Sequence, residues 1–279
     1  MGRAENRKEC KKLIEKLEKK PYFAAALEAY EEVMEELVDH FIDEEMKEEV
    51  AEHTASIAIM SLLTGVMIKA KPKVEAVIQK RVAKGKIEDP DQARKSAAGN
   101  VFQQMVAYCM AENIINGNLS PRLVVKMNGF KDIIDQYASI RIGDEVQQPD
   151  TDVLVYDPDN EKSPIVIFSC KTSLRERAGQ TYKWKLMCDL ATCKCEHMKD
   201  NPECTTVKYG LEYKPTRPVK MCIITADFYD EISNPQIHGI FNFFDYSYIT
   251  KGIEDDSISP LGKLIDDLNV LFPDNNDEE

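Results

Sequence analysis

No run of 18 or more apolar residues occurs anywhere in the 279-residue sequence, and an uninterrupted apolar membrane span is not expected. An apolar signal core is missing too. Met1 to Lys20 is charged throughout, so a cytoplasmic protein is expected and no membrane partner. The twelve glycines are scattered, and Gly-x-x-x-x-Gly-Lys-Ser/Thr is absent. That excludes the phosphate-cradling loop of nucleotide hydrolases. Histidine is scarce, with His40, His53, His197 and His238 alone, and no nucleophilic triad emerges. Cys-x-x-Cys pairs are lacking among the eight cysteines. Cys188, Cys193, Cys195, His197 and Cys204 cluster in sequence, and soft thiolates with an imidazole suit zinc. Without paired spacing, reduced thiols, some of them buried, are the expectation instead.

Positive charge is also in short supply. The 36 Lys and Arg face 49 Asp and Glu, a net charge of −13. Taken alone this argues against a nucleic-acid partner, because phosphates are neutralised by cations. Distribution reverses the argument. Glu28 to Glu52 holds twelve acidic residues and one Lys, and Met221 to Glu279 holds thirteen and two. Between them, Lys171 to Lys220 carries eleven basic and six acidic residues. One basic stretch between acidic flanks is compatible with a single DNA-facing surface.

What is present is a globular composition, with 43% apolar and 30% charged residues. The first 88 residues read as helical. Leu13, Ile14 and Leu17 mark one helix, and Phe23 through Ile42 repeats apolar residues every three or four positions. Thr54 to Ile68 is apolar all round and predicts a buried helix. Pro72 predicts the start of another over Val74–Val82. Gly85 to Pro90 is turn-rich and divides the chain into an all-helical N-terminal domain, 1–88, for assembly or interaction, and a second domain, 89–279.

The second domain opens with a long helix, Gln92 to Ile115, ended by Asn116-Gly117. A strand is expected over Leu123–Met127. Val153–Tyr156 and Ile165–Phe168 predict two antiparallel strands joined by the Asp157–Pro164 loop. Thr172–Ala191 predicts a helix, Val219–Thr225 a strand and Gly262–Leu271 a closing helix. The fold class is α/β (α+β), a central mixed sheet flanked by helices.

Chemistry concentrates around those two strands, in Gln148-Pro149-Asp150-Thr151-Asp152 and Ser169-Cys170-Lys171. Symmetric pairing about the loop sets Asp150 opposite Lys171 and Asp152 opposite Ser169. Side chains alternate along a strand, so all four share one face. Two carboxylates beside an ammonium on a rigid strand pair form a Mg²⁺-type site. Cys170 alternates to the other face, which makes its thiol a poor nucleophile candidate here but leaves its backbone carbonyl near the metal.

These residues resemble the PD-(D/E)XK nuclease superfamily, with Pro149-Asp150 as the PD and Ser169-Cys170-Lys171 as the (D/E)XK, Ser replacing the acid. Ser-x-Lys is similar to the restriction endonucleases that recognise CCGG-containing sites, and the helical N-terminal region to their BsaWI-type members. In that group an Arg and an acid-Arg pair after the lysine read C·G pairs, which here are Arg175, Glu176 and Arg177. Their chemistry agrees, since an Arg fork bonds guanine O6 and N7 and a carboxylate accepts from cytosine N4. Ser173-x-x-Glu176 is equally a helix capping box.

The resemblance implies a type II enzyme that cuts double-stranded DNA with Mg²⁺ and leaves 5′-phosphates. Asp150, Asp152 and the Cys170 carbonyl would be metal ligands, with Lys171 and Ser169 completing the catalytic set. The displaced acid does not sit 13 or 14 residues after Lys171, where Trp184 and Lys185 stand. Asp152 is one candidate, and Glu112 on the preceding helix is another, while Gln103 and Gln104 occupy that helix's middle. Cutting both strands of a palindrome requires a homodimer or higher homo-oligomer, and a host would need a cognate methyltransferase. The aromatic-rich Ile237–Tyr248 reads as core or interface, with His238 and Asn242 as candidate DNA contacts. Two other readings remain open: a non-catalytic DNA-binding or assembly protein on the same fold, and a structure-specific repair nuclease.

Overall fold

The computed structural model describes residues 3–127, 129–192, 204–213, 217–230, 239–252 and 256–273. Helices α1 (Arg3–Glu18), α2 (Pro21–Asp43), α3 (Glu48–Ala58) and α4 (Leu63–Ala83) precede the long α5 (Pro90–Asn116). Apolar spacing explains α2, which buries Phe23, Ala26, Ala29 and Tyr30 and turns its carboxylates outward. Lys69 and Lys73 of α4 meet those carboxylates at Glu28, Glu32 and Glu36.

Two local expectations are corrected. The apolar stretch before Ile68 is not one helix, because a 3₁₀ turn, Ile59–Leu62, separates α3 from α4. Pro72 does not begin a helix but lies inside α4. An interior proline costs roughly 3 kcal/mol. Burial of Met67, Ala70 and Ile78 on either side offsets that cost, and the ring itself is exposed. The helical stretch Glu48–Ala83 contains an 18-residue window of mean hydropathy 1.4, long and apolar enough to cross a membrane, yet half of that window is buried in the protein.

Helix α5 is the axis of the molecule. Asp89 caps it by accepting from the N–H groups of Asp91 and Gln92, both at 3.0 Å, and Pro90 suits the first turn. Gly117, at φ +88°, ends it in the left-handed conformation. Every residue from Met105 to Ala111 is buried, so the helix is enclosed on all sides there. One core cluster runs from Cys10 to Phe272 through α5, and packing is therefore continuous across 88/89. Thr64 of α4 strengthens the join: its N–H donates to Thr250 O and its hydroxyl to Ala226 O, both at 2.9 Å.

The central sheet has the order β1-β4-β5-β7-β8-β9, from β1 (Val124–Lys126), β4 (Val153–Tyr156), β5 (Ile165–Lys171), β7 (Val219–Thr225), β8 (Tyr246–Ile249) and β9 (Ser259–Pro260). β1, β4 and β5 are antiparallel neighbours, and β5, β7, β8 and β9 run parallel. A smaller sheet joins β3 (Glu145–Gln147), β2 (Ile140–Ile142) and β6 (Leu211–Glu212). Val153, Val155, Val166, Phe168 and Cys170 pack toward α5. On the opposite face, Leu154, Ile165 and Ile167 meet α6 (Lys131–Tyr137), and Ser169 meets α7 (Arg175–Thr192). Helices α8 (Thr205–Lys208) and α9 (Leu264–Leu271) complete a mixed α/β fold with helices on both sides of the sheet.

Candidate active site

The β4–β5 ladder places Val153 opposite Phe168 and Leu154 opposite Ile167. One residue further, Asp152 N–H donates to Phe168 O at 3.0 Å. This is the register that symmetric pairing about the loop predicts, and it brings Asp150 and Asp152 to the end of β5 where Lys171 stands. The Lys171 ammonium lies 2.7 Å from Asp150 Oδ2 and 3.2 Å from Asp152 Oδ2. Lys171 is 7% exposed, Asp152 12% and Asp150 47%.

Asp152 is the most heavily bound group of the three. Its Oδ2 accepts from the Cys170 N–H at 2.7 Å, and its Oδ1 accepts from Gln103 Nε2 at 2.6 Å. Burial disfavours its charged form and raises its pKa, outweighing Lys171 and the Cys170 N–H, which act the other way. For Lys171, burial alone would lower the pKa. Asp152 and Asp150 together overcome it, and the ammonium is held above its ordinary value. Both ions are thus stabilised mainly by each other.

Alternation explains the roles of Ser169 and Cys170. The Cys170 thiol is buried in the core against α5, where desolvation holds it well above the usual thiol range. Its N–H points at Asp152, and the carbonyl of a strand residue leaves on the same edge as its N–H. The Cys170 carbonyl is therefore turned toward the carboxylates. Ser169 is buried on the opposite face, with its hydroxyl 3.4 Å from Thr181 Oγ1 of α7. The serine at the acid position is thus packed under α7 and bonds there.

Glu112 does not join the cluster, which corrects its candidacy for the displaced acid. It lies nine residues beyond Gln103 on α5, about 13 Å further along the helix. There Tyr30 donates to its Oε2 at 2.7 Å, and burial raises its pKa. The α5 residue that does reach the site is Gln103. Its place in the middle of the helix is visible in the sequence, but its contact with Asp152 depends on how α5 crosses the sheet.

Helix α7 begins at Arg175, four residues after Lys171. The side chains of Arg175, Glu176 and Arg177 lie outside the described residues, as does His238. Cys193, Cys195 and His197 are also outside them. Cys188 is buried beside Ile140, Tyr213 and Met221, with its thiol pushed up to about 12 by burial. Asn242 is exposed on the 3₁₀ turn Gly239–Phe243. Its neighbours Phe241 and Phe244 pack with Leu174, Ile223 and Ile249, so the aromatic-rich stretch is partly core.

The residues present fit a hard divalent cation. The ammonium of Lys171 already bridges the two carboxylates, and the Cys170 carbonyl adds a third oxygen on that edge. Among the described residues no group of three or more His, Cys, Asp and Glu gathers in metal-holding geometry. Mg²⁺ takes one or two carboxylates and keeps its waters, and Asp150 and Asp152 would be those two. A family model, BsaWI restriction endonuclease type 2, matches residues 126–269, which include β4, β5 and the whole Asp150–Lys171 cluster. No curated protein matches the chain.

Proposed function

The chain belongs to the BsaWI type 2 restriction endonuclease family and is a site-specific deoxyribonuclease; from that premise we propose that it makes Mg²⁺-dependent double-strand breaks at a short palindrome containing CCGG, leaving 5′-phosphate ends. The observation that carries this reading is the Lys171 ammonium within 3.2 Å of both Asp150 and Asp152 at paired strand ends. This is a PD-(D/E)XK arrangement with Ser169 in the acid position.

Asp150, Asp152 and the Cys170 carbonyl would hold Mg²⁺. Bound there, the metal polarises the phosphate and lowers the pKa of a coordinated water. Lys171 orients the attacking water by hydrogen bonding. Its positive charge offsets the charge that builds on the phosphate oxygens in the transition state. Gln103 and the Cys170 N–H hold Asp152 in one orientation, so the site is formed before DNA arrives. Arg175, Glu176 and Arg177, at the start of α7, would supply guanine- and cytosine-reading groups, with Asn242 and His238 as outer contacts.

Two cuts need two such sites, hence a homodimer or a larger assembly. A cytoplasmic enzyme of this kind requires a methyltransferase to protect its host's genome. The two-domain division at residue 88 goes with this reading, the N-terminal helices serving assembly.

Digestion of a sequenced plasmid with Mg²⁺, followed by run-off sequencing of the ends, tests it. Wild type is expected to yield discrete fragments whose ends share CCGG, and Asp150→Ala and Lys171→Ala none. Shared ends lacking CCGG would refute the proposed site. DNA binding without cleavage would establish the non-catalytic alternative, and cleavage governed by DNA structure the repair-type alternative.

A further inference from the structure

The acidic N-terminal helices hide a basic groove. Lys69 and Lys73 are four residues apart on α4 and share one helix face, where α2 carboxylates bind both, at 2.8 Å from Glu36 and Glu32 respectively. Lys71 lies between them in sequence and therefore on the opposite face. That face lines a groove of about 440 Å³ between α4 and the N-terminal half of α5, closed by Phe228 and Tyr229 beyond β7. Lys95 lines the groove from α5, and both lysines are exposed.

The charge in this groove is one-sided. Its carboxylate, Glu75, is held by Arg94, whose two nitrogens reach it at 2.7 and 2.9 Å, and Asp91 takes a third Arg94 bond at 2.7 Å. Glu75 also feels the charge of Lys71, while its hydrogen bonds go to Arg94. The groove's lining thus carries three cations, Lys71, Arg94 and Lys95, against one carboxylate, on a chain of net charge −13.

The groove lies next to the candidate site through two shared elements. Val101 lines it from α5, the helix whose other face carries Gln103 to Asp152. Phe228 lines it from the other side, and its N–H donates at 3.2 Å to the carbonyl of Thr172, the residue after Lys171. Lys95 is eight residues before Gln103, about 12 Å along the helix. The groove therefore shares α5 and the segment just after Lys171 with the candidate site.

Resting on the nuclease reading, we infer that this groove carries the DNA backbone flanking the cleaved sequence, with Lys71 and Lys95 each neutralising a phosphate. The N-terminal helices are then part of the DNA-binding surface as well as a scaffold. A flanking-backbone contact carries no base information, so it contributes affinity and register but leaves the recognised sequence unchanged.

The test is a salt series of binding to mixed-sequence duplex DNA by fluorescence anisotropy, without divalent metal. It compares wild type, Lys71→Ala/Lys95→Ala and the control Lys69→Ala/Lys73→Ala. Each lost phosphate contact reduces the slope of log affinity against log salt by about 0.9. The first double variant is expected to lose about 1.8 from that slope, to bind more weakly at low salt and to cut at the same positions. The control has the same net charge change and is expected to keep the wild-type slope. An unchanged slope in the first variant, or an equal loss in the control, overturns the inference while the nuclease reading stands. Dissociation of an oligomer by the first variant, with its slope unchanged, would assign the groove to a second copy's acidic face instead. Wild type that neither binds nor cuts DNA overturns both readings.

Discussion

Replacing Gln103 by Glu tests the electrostatics of the site most directly. Gln103 Nε2 now donates to Asp152 Oδ1 at 2.6 Å. A Glu there turns a hydrogen bond into two carboxylates face to face beside a largely buried one. At about 4 Å and an effective dielectric of about 20, the repulsion is about 4 kcal/mol. Protonation caps the cost. Drawing one carboxyl from an ordinary pKa of about 4 to pH 7 costs about 4 kcal/mol, and less for Asp152, whose pKa burial has already raised. The expected loss is therefore about 3 kcal/mol at pH 7, which at roughly 2 to 4 °C per kcal/mol lowers the melting temperature by about 6 to 12 °C. Acidification shrinks the deficit as one of the pair takes up a proton. Millimolar Mg²⁺ is expected to reverse the sign, because a third carboxylate would then meet a dication, and Gln103→Glu is expected to gain more from the metal than wild type does. Differential scanning fluorimetry across pH, with and without Mg²⁺, reads all three effects. A variant that melts like wild type at pH 7 without metal, or that gains nothing extra from Mg²⁺, would show that α5 does not press on the metal-holding carboxylate.

Three other outcomes are expected. Lys171→Met leaves Asp152, 12% exposed, with its Cys170 and Gln103 bonds but no cation. Breaking a fully buried pair costs about 3–5 kcal/mol, and because Asp150 is half in water the loss here should be nearer 2–3 kcal/mol, read by urea unfolding; plasmid cleavage should vanish in the same variant. Cleavage by wild type should fall at a higher pH than an ordinary aspartate would give, because burial holds Asp152 above that range and the protonated form cannot bind metal; a pH–rate profile whose acid limb sits at the ordinary aspartate value would contradict this. Glu112→Gln should leave cleavage unchanged. Burial raises the pKa of Glu112 in the folded state, so that state binds the extra proton and wild type loses stability as pH rises above the unfolded value of about 4.3; the Gln variant avoids this loss, and its thermal advantage should grow from acid to neutral pH.

The local pattern was enough for much of the architecture and for the heart of the site. The Asp157–Pro164 loop is short and its flanking apolar runs are unambiguous, so one register follows, and with it the meeting of Asp150, Asp152 and Lys171. Val219–Thr225 coincides with β7 because a run buried in a parallel sheet announces itself. Less was legible where signals were weak or opposed. β2, β3 and β6 are two or three residues long, too short for any periodicity. Pro72 suggested a boundary that packing overrode, and the core, running from Cys10 to Phe272, is continuous across the turn-rich linker at 85–90, a continuity that no local pattern announces.

Chain order and alternation therefore establish which groups meet at the candidate site, since neighbours across a hairpin are settled by counting residues. Which other groups attend them depends on how helices cross the sheet. The selection of Gln103 over Glu112 as the partner of Asp152, the withdrawal of Ser169 beneath α7, and the placing of Lys71 in the groove beside α5 while Lys69 and Lys73 face α2 all follow from contacts between residues far apart in the chain. No spacing rule encodes those contacts, because close packing of the whole core sets each helix's rotation and depth.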